Sequence, residues 1–302
     1  MPIDVYDVVI AGGGPAGLAA ALTLGRARKR VLLCDAPPRR NAAAVHVHNF
    51  VTRDGVTPDE FRQIARAQLA AYANVEIRDA PVEQIGGERG AFRVTVAGAA
   101  MGARRALLCV GMIDEPPAID GLVPIWGHTA FQCPYCHGWE VRDRRFAHLA
   151  ENAAALEFTL FLRGWTPDVL LLTNAAFEID REMRDRLAAA RVQVDERRIA
   201  RLAGEGQRLR AVVFADGSAV ERDVLFLHPP QRQADIVLRL GVALDEKGYV
   251  QVHELRRETS IPGVYAAGDL TTPMQSAILA AASGMQTAAA LNRELTLDLV
   301  VP

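Results

Sequence analysis

The sequence predicts an α/β fold made of two Rossmann-like domains, the second inserted into the first. A glycine-rich loop, Gly12-x-Gly14-x-x-Gly17, directly follows the first apolar segment of the 302-residue chain. Strand-like and helix-like segments then alternate over two separate stretches, and Gly268-Asp269 follows another short apolar segment near the carboxyl end. Because such alternation is typical of parallel sheets covered by helices, these observations favour two sheets of that kind.

The first segment has the pattern of a complete dinucleotide-binding unit. Residues 6–11 form a predicted strand, residues 18–24 a predicted helix, and Val31–Cys34 a second strand that ends at Asp35. In such a unit the glycines permit a tight turn, close approach of the backbone to a pyrophosphate, and close packing of helix on strand, while the acidic residue binds a ribose. The alternative is a glycine-rich turn without a ligand. We expect a dinucleotide to contact Gly12, Gly14, Pro15, Ala16, Gly17 and Asp35.

The remaining segments predict where the inserted domain begins and ends. A capping box, Thr57-Pro58-Asp59-Glu60, marks the start of a helix. Pro116-Pro117 and His228-Pro229-Pro230 interrupt the pattern, so we expect a discontinuous domain at 1–115 and 230–302 around an inserted domain at 116–229. The other predicted elements are strands 92–96 and 106–110, then strand 145–149, helix 153–163, strand 169–173, helix 181–190 and a strand pair at 211–214 and 224–227.

Two closely spaced cysteines, Cys133-Pro134-Tyr135-Cys136, lie at a predicted helix start in the inserted domain. A helix N-terminus stabilises a thiolate, and His137 can accept or deliver a proton near neutral pH. We favour a redox-active disulfide. A structural thiol pair is one alternative, and a zinc site would need two further ligands that no second CxxC provides. Cys34 and Cys109 end apolar strands and are interpreted as buried bystanders.

The composition excludes several classes of function. The chain has 34 basic and 36 acidic residues and a formal net charge of -2, so its charge gives no reason to expect binding to nucleic acid or to an anionic membrane. No apolar run approaches the ~20 residues that span a bilayer. The first residues lack the basic region of a signal peptide. We therefore expect a cytoplasmic protein, in which a close cysteine pair is more often catalytic or metal-binding than structural.

The chain resembles the low-molecular-weight thioredoxin reductase family over nearly its whole length. The resemblance implies FAD as cofactor, because residues 259–269 are similar to the segment that holds the ribityl and phosphate groups in such flavoproteins. It also implies a homodimer in which Cys133 exchanges disulfides with the substrate and Cys136 faces the flavin. The further implied FAD contacts are Arg40, His48, Asn49, Val82, Gly111, Gly268, Asp269 (at the ribityl group), Gln275, Ser276 and Ala277. For His48 and Asn49 a solvated loop is the alternative; His46 and His48 are too few for a metal site.

The resemblance fails at the second nucleotide site. That family has a Gly-x-Gly-x-x-Ala/Ser loop there and, after the next strand, basic residues for the 2′-phosphate of NADPH. In this chain the loop at 150–155 reads Ala-Glu-Asn-Ala-Ala-Ala, and Thr-Asn-Ala-Ala follows the strand at 169–172. Without glycine the backbone cannot approach a pyrophosphate, and Glu151 would repel it. We therefore expect no functional NADPH site.

The CPYCHGWE segment, with His137, and the Arg-Asn-Ala sequence at 40–42 resemble one branch of that family more closely. Its members are dithiol oxidases that close disulfides in small natural products such as gliotoxin and holomycin, and oxygen reoxidises their FAD. We therefore expect a small dithiol or a thioredoxin-like protein to reduce Cys133 and Cys136, with His137 as base and H2O2 as by-product. The alternatives are a thioredoxin-type disulfide reductase that uses NADPH or a protein donor such as ferredoxin, and a non-catalytic FAD-binding redox sensor.

Overall fold

The computed structural model describes residues 4–298, which divide into two compact units. The first unit comprises the described residues up to Ala42, then Asn49–Asp114, and those from Gln231 onward, whereas the second comprises Ala43–His48 and Glu115–Pro230. The expected boundaries lie within one residue of the two crossings at 114/115 and 230/231. Residues 43–48 differ from the expectation, because they group with the second unit and not with the first.

Helices and strands follow one another in both units, and the second unit interrupts the first. Before the insertion the first unit contains β1 (Val5–Ala11), α1 (Pro15–Arg26), β2 (Val31–Cys34), α2 (Pro58–Leu69), β3 (Val75–Arg78), β4 (Val82–Gly86), β5 (Phe92–Val96), β6 (Ala99–Leu108) and β7 (Met112–Asp114). The second unit contains α3 (Leu122–Ile125), β8 (Ala130–Phe131), α4 (Pro134–His137), β9 (Phe146–Leu149), α5 (Leu156–Leu162), β10 (Val169–Leu172), α6 (Arg181–Ala189), β11 (Gln193–Asp195), β12 (Ile199–Glu205), β13 (Arg208–Phe214), β14 (Ala219–Glu221) and β15 (Val224–Leu227). The first unit then resumes with β16 (Gln231–Gln233), α7 (Asp235–Leu240), β17 (Val264–Ala266) and α8 (Ala277–Leu297).

The first unit is built on a seven-stranded sheet in the order β3-β2-β1-β6-β5-β4, with β17 also paired to β6. The strands β3, β2, β1, β6 and β17 run parallel. Ala11, Cys34, Leu108 and Ala266 lie at one level where four of these strands end. The carboxyl ends therefore meet at one edge of the sheet, which is where doubly wound sheets bind their ligands.

The second unit is built on a five-stranded parallel sheet in the order β11-β10-β9-β15-β8. Every residue of β9, β10 and β15 is buried, as expected for continuous apolar strands that are covered on both faces. The strands β12, β13 and β14 form a separate antiparallel sheet. The parallel core of the first sheet and the parallel sheet of the second unit confirm the predicted α/β class with two Rossmann-like layers.

Three predicted elements differ in detail from those observed. The strand β6 begins at Ala99 rather than at 106, because its first half pairs with β5 in a hairpin. The predicted pair at 211–214 and 224–227 belongs to two different sheets, since β13 pairs with β12 and β14, whereas β15 pairs with β8 and β9. The helix predicted at 153–163 begins as a 3-10 turn, Ala153–Ala155, where the side chain of Asn152 caps no amide of the described residues. No helix within residues 4–298 is long and apolar enough to cross a membrane.

A fully buried histidine lies in the central strand of the second unit. The Nδ1 atom of His148, in β9, lies 2.7 Å from Oγ1 of Thr159, while Nε2 has no hydrogen-bond partner among the described residues. Burial, with a smaller contribution from the charge of His228, lowers the pKa of His148 from 6.5 to about 3. The imidazole is therefore neutral in the folded protein at every pH at which the protein is expected to work.

We expect acid to destabilise the protein before most of its carboxylates titrate. The pKa of His148 is 6.5 when unperturbed and about 3 when folded, so its contribution is complete above the first value and declines as the pH falls toward the second, because the unfolded chain binds the proton first. The expected slope is about 1.4 kcal/mol per pH unit for each such group. Denaturant titrations at a series of pH values measure it. His148→Asn should flatten the slope, and an unchanged slope would contradict the assignment.

Candidate active site

The cysteine pair forms a disulfide at the start of α4. The bond joins Cys133 to Cys136 with Cα atoms 5.2 Å apart. Cys133 is the N-cap of α4, and the Cys136 amide N–H donates to Sγ of Cys133 over 3.2 Å. This amide is therefore placed to stabilise a thiolate on Cys133 once the bond is reduced. Cys34 and Cys109 are free and buried as predicted, and burial raises the pKa of the Cys34 thiol to about 12.

The helix dipole contributes less to stabilising a thiolate at this site than the sequence predicts. The helix α4 spans only Pro134–His137, and one turn aligns few peptide dipoles. The single amide of Cys136 supplies the local stabilisation instead. The zinc alternative finds no support, because no group of three or more His, Cys, Asp or Glu side chains in the part of the chain that is described could hold a metal ion.

His137 follows the pair directly, but its environment differs from the prediction. Its ring stacks on Phe131 with centroids 4.4 Å apart and planes 12° from parallel. Both ring nitrogens are buried and have no hydrogen-bond partner among residues 4–298. Burial, followed by the charges of His48 and His46, lowers the pKa of His137 to about 4. The expected titration near neutral pH is therefore wrong. His137 is a neutral imidazole there, able to accept a proton but weaker as a base than an ordinary histidine.

The predicted FAD-contacting residues His48 and Asn49 fall in different units. His48 ends the segment that groups with the second unit, and its Nε2 lies 3.6 Å from Oε1 of Glu140. Asn49 begins the next part of the first unit with a left-handed φ of 59°, and its amide donates to Oδ1 of Asp54 over 2.8 Å. Glu140 was not among the predicted site residues, although it lies within the CPYCHGWE segment. FAD contacts of His48 and Asn49 stay predictions.

The other predicted FAD-contacting positions of the first unit lie mainly at the carboxyl edge of its sheet. Gly12 follows β1, Asp35 follows β2, Gly111 follows β6 and Gly268-Asp269 follows β17. Because these strands are adjacent and parallel, their ends come together in one crevice. Val82 is different, because it opens β4 with a buried side chain that belongs to the core of the unit. Only its backbone remains available for the predicted contact.

The glycine loop has the geometry that a pyrophosphate requires. Gly12 has a φ of +106°, and a Cβ there would lie 2.3 Å from the carbonyl oxygen of Cys109. A Cβ on Gly17 would lie 1.9 Å from the carbonyl oxygen of Gly12, so only glycine allows this turn. In contrast, a Cβ on Gly14 or Gly111 would meet no atom of residues 4–298 within 4 Å. The space beside Gly14, at the uncapped start of α1, therefore fits the phosphates of FAD.

Asp35 is braced by an arginine that the sequence pattern did not identify. The amide of Gly13 donates to Oδ1 of Asp35 over 3.1 Å, and Arg62 pairs with Oδ2 of Asp35. Arg62 also donates to the carbonyl oxygen of Gly13 over 2.9 Å. A carboxylate accepts about four hydrogen bonds, so Asp35 retains capacity for a ribose hydroxyl. One sequence signal for Arg62 was available. This charged residue lies four positions after Pro58, on the face of α2 that is buried.

Arg40 and Asp269 belong to one polar network. Arg40 pairs with Asp269 and with Asp114, each over 2.8 Å. Gln231 donates to Asp114 over 2.8 Å and lies within hydrogen-bond distance of Gln275. Burial raises the pKa of Asp269, and the Arg40 guanidinium opposes that shift. The network fixes the Asp269 carboxylate at the edge where the ribityl contact is predicted; Asp114 and Gln231 carry no local sequence signal for this role.

The last predicted contacts lie at the start of α8. Ser276 is the N-cap, and its hydroxyl accepts the amide of Leu279 over 3.3 Å. Ala277 opens the helix, so its amide is one of the first-turn donors that lack a partner within the helix. The helix lies very close to α1, because a Cβ on Gly284 would be only 2.0 Å from the carbonyl oxygen of Ala16. Pro15 is the first residue of α1, where its missing N–H is not needed.

The second nucleotide loop takes a shape unlike that of the first. After β9 the chain passes through Ala150 and Glu151 into the 3-10 turn of alanines, not into a glycine turn that caps a long helix. After β10, Asn174 accepts the amide of Ile199 over 2.7 Å. Asn174 thus uses its side chain for a bond within the second unit, at the position where the related family has basic residues for the 2′-phosphate. These features give no cradle for phosphates of the kind formed beside Gly14.

Comparisons with known proteins cover nearly the whole chain. The family model for pyridine nucleotide-disulphide oxidoreductases matches residues 6–286. A curated protein from Arthroderma benhamiae, "Probable thioredoxin reductase", is 31% identical over 97% of this chain and 81% of its own length. Two solved structures, an oxidoreductase from Agrobacterium tumefaciens and HlmI, are each 36% identical with a TM-score of 0.90. They cover 97% and 99% of this chain and 99% and 94% of their own chains.

Proposed function

Because this chain belongs to the pyridine nucleotide-disulphide oxidoreductase family, as a flavin-dependent disulfide oxidoreductase of thioredoxin reductase type, we propose that it oxidises a dithiol to a disulfide. In this proposal Cys133 and Cys136 accept the electrons, FAD is the cofactor, oxygen is the final acceptor and NADPH is not used. The product of oxygen reduction is H2O2. We also propose that the enzyme is a cytoplasmic homodimer.

The observation that carries the proposal is the contrast between the two nucleotide loops. The loop at Gly14 leaves space for phosphates at a helix start, whereas residues 150–155 lack glycine and lead into a short 3-10 turn. A family that is named for pyridine nucleotides normally draws its electrons from them. This chain keeps the disulfide and the glycine loop for FAD, but its second nucleotide loop is altered. This combination favours the substrate as the source of electrons.

The residues of the chain account for the exchange of sulfur bonds. A substrate thiolate attacks Sγ of Cys133, so the disulfide breaks and its electron pair passes to Cys136. The second substrate thiol loses its proton to His137 and displaces Cys133, which closes the product disulfide. Two S–H bonds of the substrate are lost, one S–S bond forms and one breaks, and the cysteine pair holds two electrons. FAD, when bound, supplies the acceptor for these electrons and passes them to oxygen.

The surface next to the pair favours an apolar substrate. Tyr135, between the two cysteines, is 65% exposed. Its ring lies 5.6 Å from the ring of Phe161 and 5.5 Å from that of Trp165. Aromatic rings that remain exposed bind apolar partners at little cost in conformational entropy. A small apolar dithiol suits this surface better than an acidic protein, although a thioredoxin-like protein remains the alternative substrate.

The direction of electron flow can be tested without oxygen. We expect dithiothreitol to bleach the absorbance of the bound flavin and NADPH to leave it unchanged, because the second loop offers no phosphate cradle. Admission of air should then restore the flavin once the dithiol is consumed, and release one equivalent of H2O2 for each dithiol oxidised. Diode-array spectra and a peroxide assay measure both quantities.

Each of the other possible outcomes of this anaerobic experiment supports a different function. Rapid bleaching by NADPH would contradict the proposal and support a disulfide reductase. If neither compound bleaches the flavin, reduced ferredoxin is the next donor to add, and bleaching by it would support a reductase with a protein donor. A flavin that no donor reduces would favour the redox sensor.

A further inference from the structure

The backbone on both sides of Gly13 is held by two charged side chains from outside the glycine loop. Arg62, in α2, donates to the carbonyl oxygen of Gly13 over 2.9 Å and pairs with Oδ2 of Asp35. The amide of Gly13 donates to Oδ1 of the same carboxylate over 3.1 Å. Asp35 is 7% exposed and Arg62 is 8% exposed, so water competes little for these bonds. One guanidinium and one carboxylate therefore fix the two peptide units that meet at Gly13.

The composition of the loop explains why these bonds matter. Residues 12–14 are three consecutive glycines, and a residue without a Cβ samples a wide range of backbone conformations. Gly12 is anchored to the end of β2, because its amide donates to the carbonyl oxygen of Cys34 over 2.8 Å. The next part of the loop has no side chain of its own that could restrict it. Arg62 supplies that restriction at the peptide between Gly13 and Gly14.

The bond from Arg62 also determines the direction of the next amide. In a planar trans peptide the C=O and the following N–H point to opposite sides. The carbonyl oxygen of Gly13 faces Arg62, so the N–H of Gly14 points away from Arg62. Gly14 is the N-cap of the twelve-residue helix α1, and the N–H groups at a helix start have no partner within the helix. Such N–H groups are the usual donors to a bound phosphate.

We propose that Arg62 is a positioning residue for the cofactor, because it holds the Gly13–Gly14 peptide so that the Gly14 amide donates to the pyrophosphate of FAD. The inference rests on FAD as the proposed cofactor and is independent of the direction of electron flow. Arg62 acts through the backbone, since its guanidinium already bonds a carbonyl oxygen and a carboxylate. A donor that is fixed before binding avoids the cost in entropy of ordering the loop when FAD arrives.

Arg62→Lys tests this role in the flavin-free protein. Lysine keeps a positive charge beside Asp35, but its ammonium does not match two acceptors as a planar guanidinium does. We expect the affinities for FAD and for ADP each to fall by about fivefold or more, the size of one lost hydrogen bond. ADP carries no flavin, so its titration reports on the pyrophosphate end alone. Arg66→Lys is the matched control, because Arg66 lies one turn later in α2 and pairs with Asp79 on the surface over 2.7 Å.

The Gly14 amide itself gives a readout that a loss of stability alone would not move. Labelling with 15N-glycine makes the amides of the 24 glycines visible by NMR, and Gly14→Ala identifies the Gly14 signal by its absence. A hydrogen bond to a phosphate deshields the amide proton. We therefore expect saturating ADP to move the Gly14 proton signal downfield in the unsubstituted protein and in Arg66→Lys, and to move it much less in Arg62→Lys.

The combined results separate this inference from the proposed function. It is overturned if Arg62→Lys binds FAD and ADP as tightly as Arg66→Lys does. Weaker binding with an unaltered Gly14 shift would also overturn it, because Arg62 would then act by charge or through Asp35 alone. If the unsubstituted protein binds neither compound, the inference and the proposed cofactor fail together. If it binds both but oxidises no dithiol, the proposed function fails, whereas the affinities and the Gly14 signal still decide the role of Arg62.

Discussion

Replacement of Cys133 by serine is expected to abolish dithiol oxidation, with kcat reduced by roughly a thousandfold or more. Serine cannot form the mixed disulfide, and its hydroxyl is not ionised at neutral pH. The sulfur of Cys133 is also the atom that accepts the Cys136 amide over 3.2 Å, and this bond favours the thiolate of Cys133. Oxygen consumption with dithiothreitol, at equal flavin content, measures the loss.

Cys136→Ser separates the two sulfurs. In this variant Cys133 is a free thiol, so its thiolate can attack an added disulfide such as oxidised glutathione, release one glutathione and form a mixed disulfide that no internal thiol can displace. We therefore expect a stable covalent adduct by mass spectrometry, and none with Cys133→Ser. Cys34→Ala and Cys109→Ala are matched controls, because both thiols are buried and outside the disulfide. Retention of the full rate by Cys133→Ser would contradict the mechanism.

Features that depend on neighbouring residues in the chain were predictable. The N-cap bond of the predicted capping box is present, because Oγ1 of Thr57 accepts the Glu60 amide over 3.1 Å. The strand β1, the glycine loop and β2 occur in the predicted order, since each follows from a short apolar run and a turn. The CPYC pair forms its disulfide because its spacing alone brings the sulfurs together.

Features that depend on distant residues were not predictable. The pKa of His137 is lowered chiefly by burial and then by His48 and His46, about ninety positions earlier in the chain, and no local pattern shows that these residues meet. Arg62, which braces Asp35, lies in α2. No pattern in the sequence around Asp35 therefore indicates that the two side chains meet. The partners of Arg40 include Asp114, which reads in the sequence only as the end of a short strand.

The second major prediction separates two roles of glycine within the same loop. Gly17→Ala should destabilise the apoprotein by about 1 to 3 kcal/mol or more, because a Cβ 1.9 Å from the Gly12 carbonyl oxygen forces the turn apart. Gly14→Ala should change the free energy of unfolding by less than about 0.5 kcal/mol, since its Cβ would meet no atom of the described chain within 4 Å. Its φ of -74° suits alanine equally well.

The same Gly14→Ala change is expected to weaken FAD binding by about tenfold or more, which corresponds to about 1.4 kcal/mol. The added methyl group occupies the space that the backbone leaves for the phosphates. Flavin titration of the apoprotein and denaturant unfolding measure the two effects separately. Gly86→Ala is the matched control, because that glycine also has open space around it but lies in β4. If Gly14→Ala binds FAD as tightly as Gly86→Ala does, the open space beside Gly14 is not the phosphate site, and the FAD contacts proposed for Pro15, Ala16 and Gly17 lose their support with it.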